Sequence, residues 1–516
     1  MNVGNLLRTS ASKFSDHTAV VSDQGRLSFG AFDRRTDQLA GALLAAGLRR
    51  GDRVAMLFYN GQPLVEAYFA TIKAGLVATP INFRLVAPEM EFILNDSGAR
   101  ALFHGPEFDQ VVGQVRGQCP GLKLVVRPGG GPGALDHEAF LAGGQALPPL
   151  ADLGEADQCQ LMYTSGTTGR PKGAVISHGN VLWNLMNTIL GREDQPGQVS
   201  VVVGPLYHTA ALNNHFTIQV ALGGTSVLVS HFEPQELLRT IQAERVNVIS
   251  GSPAFYHLLM QQPGAWDFDR SSITKCTTGA DKLSAETKRQ LMAFFPNITG
   301  VYDVYGCTEA SPCITILTAA QSHQRHGSVG RALPFLQARV VDELDRPLAV
   351  GQVGELVCQG PNVMQGYHNQ AQATAEAIRD GWLHTGDLAY MDPEGFFYIV
   401  DRKKDMIVSG GENIYPREIE EVLYQHPAIA DVAVVGEPDP LWGESVKAVV
   451  ALKTGANLVE AEVIDYCKQH LASYKKPRQV VFVDQLPRNA SGKVLKRELR
   501  GRVDHGAPAG GAVHSS

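Results

Sequence analysis

No run of 18 or more apolar residues occurs in the 516-residue chain, which excludes a membrane-spanning helix and leaves only a peripheral membrane contact open. Basic charge is scarce as well: 45 Lys and Arg stand against 52 Asp and Glu, a formal net charge of −7 with no long basic run. A nucleic acid requires a concentrated basic face, so it is not an expected partner. Cysteine is sparse too, with seven residues scattered from Cys119 to Cys467. The nearest pair, Cys307 and Cys313, lies six positions apart (313 − 307), which fits no common zinc pattern, and the histidines do not cluster beside it. Reduced thiols in a cytoplasmic protein are therefore expected. The first residues, Met1 to Phe14, carry Arg8 and Lys13 in a short amphipathic pattern and no apolar signal core, so a first helix is predicted rather than a signal peptide.

What remains describes a globular enzyme-sized chain, 44% hydrophobic and 19% charged, too long for one core to support easily. Short β-branched runs such as Arg53 to Phe58, Val201 to Val203 and Val246 to Ile249 alternate with segments of helical apolar spacing such as Pro234 to Glu244. That alternation predicts α/β sheets with flanking helices up to about Val400. Residues 127 to 150, rich in Gly and Pro, read as a surface loop. From Pro416 the pattern changes to a compact α+β order. It runs helix 417–425, strand 430–435, strand 445–453, helix 460–471 and strand 479–483. A Gly/Ala/Ser-rich tail, 506–516, is expected to be disordered. No internal repeat is present.

One segment carries most of the chemistry: Thr164-Ser165-Gly166-Thr167-Thr168-Gly169-Arg170-Pro171-Lys172-Gly173. Glycines let backbone amides turn toward an oxyanion, hydroxyls add donors and Lys172 adds charge, so the segment is built to hold polyphosphate. The Gly-x-x-x-x-Gly-Lys-Ser/Thr loop of kinases and GTPases is not satisfied here.

This loop resembles the phosphate-binding signature of the AMP-forming acyl-adenylate superfamily, which holds acyl-CoA synthetases, luciferases and the adenylation domains of peptide synthetases. Further motifs follow in order: Tyr305-Gly306-Cys307-Thr308-Glu309, Trp382-Leu383-His384-Thr385-Gly386-Asp387, Asp401-Arg402-Lys403-Lys404-Asp405, Ser409-Gly410-Gly411-Glu412-Asn413 and Pro487-Arg488-Asn489-Ala490-Ser491-Gly492-Lys493. The resemblance spans nearly the whole chain and is closest to bacterial fatty-acyl-CoA and aryl-CoA ligases. It implies a large N-terminal domain, 1–401, and a small mobile C-terminal lid, 402–505. A homodimer is compatible with it.

The resemblance also implies roles. Thr164, Ser165, Gly166, Thr167, Thr168 and Lys172 would hold the β- and γ-phosphates of ATP. Glu309 would bind Mg²⁺ and Thr308 the α-phosphate; a hard cation suits such a carboxylate. Tyr305 would stack on adenine, with Gly279, Ala280 and Asp303 along the base edge, and Asp387 with Arg402 would hold the ribose. Lys493 would bridge the carboxylate and the α-phosphate during adenylation. Lys404 is the hinge position about which the lid would turn. Gly410, Gly411 and Glu412 would then approach the thiol, and Trp442, Tyr474 and Lys476 the CoA nucleotide.

The acyl pocket implied by the resemblance is lined by His208 to Ala211, Gly251 to Pro253, Thr278, Gly279 and Cys307, with His208 either gating it or packed in the core. The lining is small or uncharged, with no acid placed to pair with an amino group and no cation for a second carboxylate. An apolar acid is expected, fatty acids of medium or greater length first and aryl acids next. The expected reaction is ATP-dependent formation of an acyl-AMP and its transfer to CoA. The alternatives are a ligase that loads a carrier protein and a non-catalytic homologue. The compact spacing from Asp387 to Arg402 lacks the insertion of the former, and the presence of Lys493 and Glu309 speaks against the latter.

Overall fold

The structure, a computed structural model, describes residues 1–150, 152–164, 171–279, 283–409, 412–488 and 494–500. The chain divides into two compact units. The first comprises Met1–Arg339, Val357–Thr385 and Met391–Tyr398; the second comprises Val340–Leu356, Gly386–Tyr390 and the chain from Ile399 onward.

Two large sheets build the first unit. One has nine strands in the order Arg331–Ala332, Cys313–Leu317, Val301–Gly306, Lys275–Gly279, Val248–Gly251, Val199–Val202, Thr225–Leu228, Thr18–Ser22 and Gly25–Ser28. The other has eight: Gly366–Tyr367, Lys172–Ser177, Gln158–Thr164, Val77–Pro80, Arg53–Leu57, Ala101–His104, Leu124–Arg127 and Leu135–Asp136. Neighbours in the middle of each sheet run parallel and are largely buried, as apolar runs in Arg53–Leu57 and Ala101–His104 and with buried hydroxyls in Lys275–Gly279. The helices between them bury one stripe each. In Pro234–Ala243 the stripe is Leu237, Leu238 and Ile241, and proline at the first turn starts the helix without losing a needed hydrogen bond. The helices Phe29–Ala45 and Gln62–Lys73 pack Phe32 edge-on against Phe69, ring centroids 5.4 Å apart.

The segment 127–150 departs from the predicted loop. It contains the short strand Leu135–Asp136 and the helix His137–Ala142, which buries His137 and Leu141. Asp136 caps that helix by accepting from the Ala139 amide at 2.9 Å, a local signal that the surrounding glycines obscured.

A further five-stranded sheet is formed by Gln337–Val341, Gly354–Gln359, Trp382–Met391, Ile378–Arg379 and Phe397–Arg402. In the second unit the predicted order of elements is found, the first strand running four residues further than expected: helix Pro416–Leu423, strands Ile429–Asp439 and Gly443–Leu452, helix Glu460–His470 and strand Gln479–Phe482. Its core is Ile407, Ile419, Val434, Ala448, Val450, Val463 and their neighbours. Among the described residues no helix is long and apolar enough to cross a membrane. All seven cysteines are free, and Cys307 alone is not buried.

Candidate active site

Three adjacent parallel strands in the nine-stranded sheet, Val248–Gly251, Lys275–Gly279 and Val301–Gly306, end side by side. Their register pairs Gly251 with Thr278, Thr278 with Asp303 and Gly279 with Val304. Ligands of open α/β sheets bind at the carboxyl ends of strands. Here Gly251, Thr278, Gly279, Asp303 and Tyr305 lie at or near that edge. Backbone has to come close there. A Cβ on Gly279 would lie 2.8 Å from the Val304 carbonyl oxygen, and one on Gly306 would meet the Pro312 carbonyl oxygen at 1.8 Å.

The third strand runs into a single 3-10 turn, Thr308–Ala310, that carries Thr308 and Glu309. Buried amides hold this turn in place. The Asn362 side chain donates to the carbonyls of Ala310 (2.7 Å) and Cys313 (2.9 Å), and that of Asn213 to the carbonyl of Ser311 (3.2 Å). Asn184 accepts from the Cys313 amide at 3.0 Å. Asn213 is itself fixed by Gln160, whose amide donates to it at 2.8 Å and to the Tyr68 hydroxyl at 2.7 Å. It projects from a π-helical segment, Leu212–Thr217, a rare backbone form that often accompanies functional positions. Glu309 is half-buried. Its Oε1 accepts from the Tyr367 hydroxyl at 2.7 Å, and its carbonyl accepts from the Met364 amide at 2.7 Å.

Strands Gln158–Thr164 and Lys172–Ser177 pair antiparallel with Thr164 opposite Lys172, so the two ends of the Gly/Thr segment are neighbours. Lys172 Nζ lies 5.2 Å from the centroid of the Tyr367 ring. Residues 366–367 pair with the same strand, Tyr367 opposite Ala174, which brings Tyr367 to both Lys172 and Glu309. Ser165, Gly166, Thr167, Thr168 and Ala280 lie outside the described residues.

His208 is exposed at the start of the short helix Thr209–Ala211 and is not a packed core histidine. Its ring lies 4.4 Å from that of Tyr207, and the rings continue through Phe83 (5.1 Å from Tyr207) to Tyr59 (4.7 Å from Phe83). Thr209, Ala211 and Thr278 are buried, and Gly251, Gly279 and Cys307 are half-buried.

The second unit holds the remaining positions. Asp387 is buried and pairs with Arg402, Nε to Oδ1 at 2.8 Å. Beside this pair, Glu355 accepts from the Gly386 amide at 3.1 Å and from Lys403 Nζ at 2.9 Å. Gly386 has φ +72°, a turn that glycine adopts without strain. Lys404 is exposed in the 3-10 turn Lys403–Asp405, with its carbonyl 3.5 Å from Arg500 Nη2. Glu412 is exposed at the head of a short strand. Trp442 sits at the hairpin between Ile429–Asp439 and Gly443–Leu452, 39% exposed, and Tyr474 is 49% exposed in the turn Ser473–Lys475. Asp439 shapes the hairpin by accepting from the Leu441 (2.8 Å) and Trp442 (3.0 Å) amides. The Arg478 guanidinium lies 4.7 Å from the Trp442 ring centroid. Lys476 is tied to the Ser473 carbonyl at 2.9 Å. Gly410, Gly411 and Lys493 lie outside the described residues.

Sequence reasoning missed Tyr367, Glu355, Arg478 and the asparagines around the Glu309 turn. Only Tyr367 carries a local signal, a Gly-Tyr pair whose glycine has φ +145°. Among the described residues, one group of three potential metal ligands is found elsewhere: Glu66, His137 and Glu138. Arg35 binds both carboxylates there, at 2.5 Å from Glu66 and 2.5 Å from Glu138, so the group is an internal ion-pair network.

The strand-end edge, the paired ends of the Gly/Thr segment and the turn that carries Glu309 all lie in the first unit, an arrangement that accords with an adenylate-forming enzyme. The model of the AMP-binding enzyme family matches residues 7–368, and that of the AMP-binding enzyme C-terminal domain matches residues 418–493. The chain belongs to this family and is an AMP-forming acid–thiol ligase of the acyl- and aryl-CoA ligase type. It is 40% identical to a feruloyl-CoA synthase of Amycolatopsis sp, over 95% of this chain and 97% of that protein. An indoleacetate–CoA ligase of Aromatoleum aromaticum is 36% identical, over 94% of each chain. A long-chain-fatty-acid–CoA ligase of Bacillus subtilis is 35% identical, over 96% of this chain and 93% of the other. Among solved structures, the anthranilate CoA ligase AuaEII in complex with anthranoyl-AMP superposes with a TM-score of 0.89 at 26% identity, covering 97% of this chain and 96% of the other. These relatives are named for CoA, and none of them favours loading of a carrier protein.

Proposed function

We propose that the chain activates an apolar, aryl-bearing carboxylic acid and transfers it to CoA. The acid's carboxylate oxygen attacks the α-phosphorus of ATP, the bond to the β-phosphate breaks, and pyrophosphate leaves. The thiol of CoA, giving up its proton, then attacks the acyl carbon and AMP departs. The observation that carries this reading is the assembly of Lys172, Glu309 and the strand-end edge Gly279–Tyr305 within one unit.

In this reading Tyr305 stacks on adenine, an interaction worth about 1–3 kcal/mol, and Gly279, Ala280 and Asp303 border the base. Asp387 and Arg402 hold the ribose. Thr164 to Thr168 and Lys172 hold the outer phosphates, and Thr308 the α-phosphate. Glu309 and the Thr308 hydroxyl are hard oxygen donors, which fits Mg²⁺ arriving on the polyphosphate, where one carboxylate and water complete the shell. That ion offsets phosphate charge; the chain's own contribution is to place donors before the reaction begins. Lys493 supplies the bridging charge in adenylation, and Lys404 is the hinge to a thioester-forming arrangement. That arrangement brings Gly410, Gly411 and Glu412 to the thiol and Trp442, Tyr474 and Lys476 to the nucleotide. The domains are then 1–401 and 402–505, and the setting is the cytoplasm, where ATP and CoA are both held.

For the acid, the uncharged lining at Gly251, Thr278, Gly279 and Cys307 supports an apolar group. The row of rings Tyr59, Phe83 and Tyr207 beside His208 supports an aromatic one. Aryl acids therefore come first here, ahead of the fatty acids that the sequence alone puts first. The relatives named for ferulate and indoleacetate support that order, while the Bacillus relative favours a medium- or long-chain fatty acid as the second reading. The test is pyrophosphate release, with CoA present, over cinnamates, benzoates, arylacetates, straight-chain acids and dicarboxylates. The highest kcat/KM is expected for an aryl acid. A rise of roughly fourfold per CH₂ through medium and long chains would transfer the assignment to fatty acids. A best substrate that is malonate, acetate or an amino acid would sink the apolar pocket altogether.

A further inference from the structure

Among the described residues, Tyr367 is a side chain that meets both Glu309 and Lys172 at the phosphate end of the site. Its hydroxyl donates to Glu309 Oε1 at 2.7 Å, and its ring lies 5.2 Å from Lys172 Nζ. Nothing in its position is accidental to the fold. The Gln365 amide donates to the Val175 carbonyl and the His368 amide to the Gly173 carbonyl, at 2.9 and 2.8 Å, clamping residues 365–368 along the strand that leaves the phosphate hairpin. Thr374 accepts from the Tyr367 amide at 2.8 Å and fixes the other side. Asn180, whose helix starts at the end of that strand, holds the loop before it through the carbonyls of Pro361 and Val363, both at 2.8 Å. The turn after Glu309 is held by the buried amides of Asn362 and Asn213, which donate to the carbonyls of Ala310 and Ser311.

We propose that Tyr367 is a positioning residue for adenylation: its hydroxyl orients the Glu309 carboxylate and its ring face steadies Lys172, so one rigid side chain sets the spacing between the acid and the cation that grip the polyphosphate. This rests on the adenylation reading above. A cation over a ring face and a hydrogen bond to a carboxylate are independent interactions, and both need the ring where it stands.

The test is calorimetric titration of the full-length chain with ATP across a series of Mg²⁺ concentrations, beside the kinetics of pyrophosphate release. Tyr367→Phe keeps the ring and removes the hydroxyl. It is expected to lose about tenfold of the gain in ATP affinity that Mg²⁺ brings, with unchanged Mg²⁺-free affinity, acid KM and melting temperature. Tyr367→Leu removes the ring as well and is expected to weaken Mg²⁺-free binding too, because Lys172 is released. In a Glu309→Gln background, Tyr367→Phe should add nothing, since the bond it breaks has already lost its charge. A Tyr367→Phe variant with the wild-type Mg²⁺ dependence would overturn the inference and leave the adenylation reading standing. So would a further loss in the Glu309→Gln background. A wild-type chain that binds no ATP at any Mg²⁺ concentration would overturn both together.

Discussion

The Glu309 turn and the Trp442 hairpin are both short connections that carry candidate substrate contacts, yet they are held in opposite ways. The first is pinned by the fully buried side chains of Asn184, Asn213 and Asn362, each aimed at a backbone group of residues 310–313. The second is shaped by one aspartate, Asp439, and leaves Leu441 at 78% and Trp442 at 39% exposure. Buried amides whose donors are met by backbone carbonyls fix a geometry and are costly to disturb. An exposed hairpin ring can be removed without touching the core. The difference matches two kinds of work: charge stabilisation during adenylation depends on preorganised donors, whereas grip on a nucleotide needs only available surface.

The comparison predicts that the two half-reactions can be separated by mutation. The largest effect belongs to Lys493→Ala, expected to lower acyl-AMP formation by at least about 10²–10³-fold, the loss typical of one preorganised donor. Thioester formation from acyl-AMP supplied ready-made should persist. Stopped-flow assays of each half-reaction decide it, and equal losses in both would remove the idea of two lid arrangements.

Next in size is Lys404→Pro. Proline fixes φ and pushes Lys403 away from the helical turn that it now occupies, so rotation at Lys403–Asp405 should be blocked. Adenylation should continue while thioester formation falls by about tenfold or more, as hinge changes far from the chemistry can do. Unchanged overall turnover would sink the hinge assignment.

How much of this was legible beforehand depends on what holds each part. The second unit could be read within four residues at every boundary because β-branched runs 429–439 and 443–452 and the stripe Ile419, Leu423 are local patterns closed off by Pro416 and Gly443. Glu309, Asp387 and Lys172 were candidates from motif order alone, and the structure adds Tyr367 beside Glu309 and Lys172 and pairs Asp387 with Arg402. The supports of the Glu309 turn were not. Asparagine in a sequence reads as a turn or cap residue. Asn184 instead lies in a helix and Asn213 in a π-helical turn, and both act through bonds that span 129 and 98 residues. No window along the chain contains that information. The helix His137–Ala142 was lost for the opposite reason, since the glycines and prolines before it outweighed a correct aspartate cap.

Asn362→Ala sharpens the comparison at the rigid end. It would leave the Ala310 and Cys313 carbonyls without their donor in a buried place, costing about 1–3 kcal/mol of stability by the usual penalty for an unmet buried polar group. Urea unfolding measures that directly. The same variant should lose adenylation rate at temperatures where it is still folded, because the turn that seats Glu309 has loosened. Full stability with full activity would show that the ring of amides is not what holds the turn.

The smallest effect is expected at the exposed end. Trp442→Ala removes a surface ring, 39% exposed, that packs on Arg478, so stability should change by no more than about 0.5 kcal/mol. Tyr474→Ala, on a turn that is equally open, should behave the same way. If these rings grip the CoA nucleotide, each loss should raise the KM for CoA about fivefold, near the lower bound for one stacking contact, with kcat and the constants for ATP and acid nearly unchanged. That pattern is uniform binding lost, and it is what surface without preorganisation would supply. A rise in the KM for ATP, or a drop of several degrees in Tm, would instead mean that the hairpin and the Glu309 turn are built alike. Turnover of a phosphopantetheinyl carrier protein by a chain that ignores free CoA would assign both rings to protein docking.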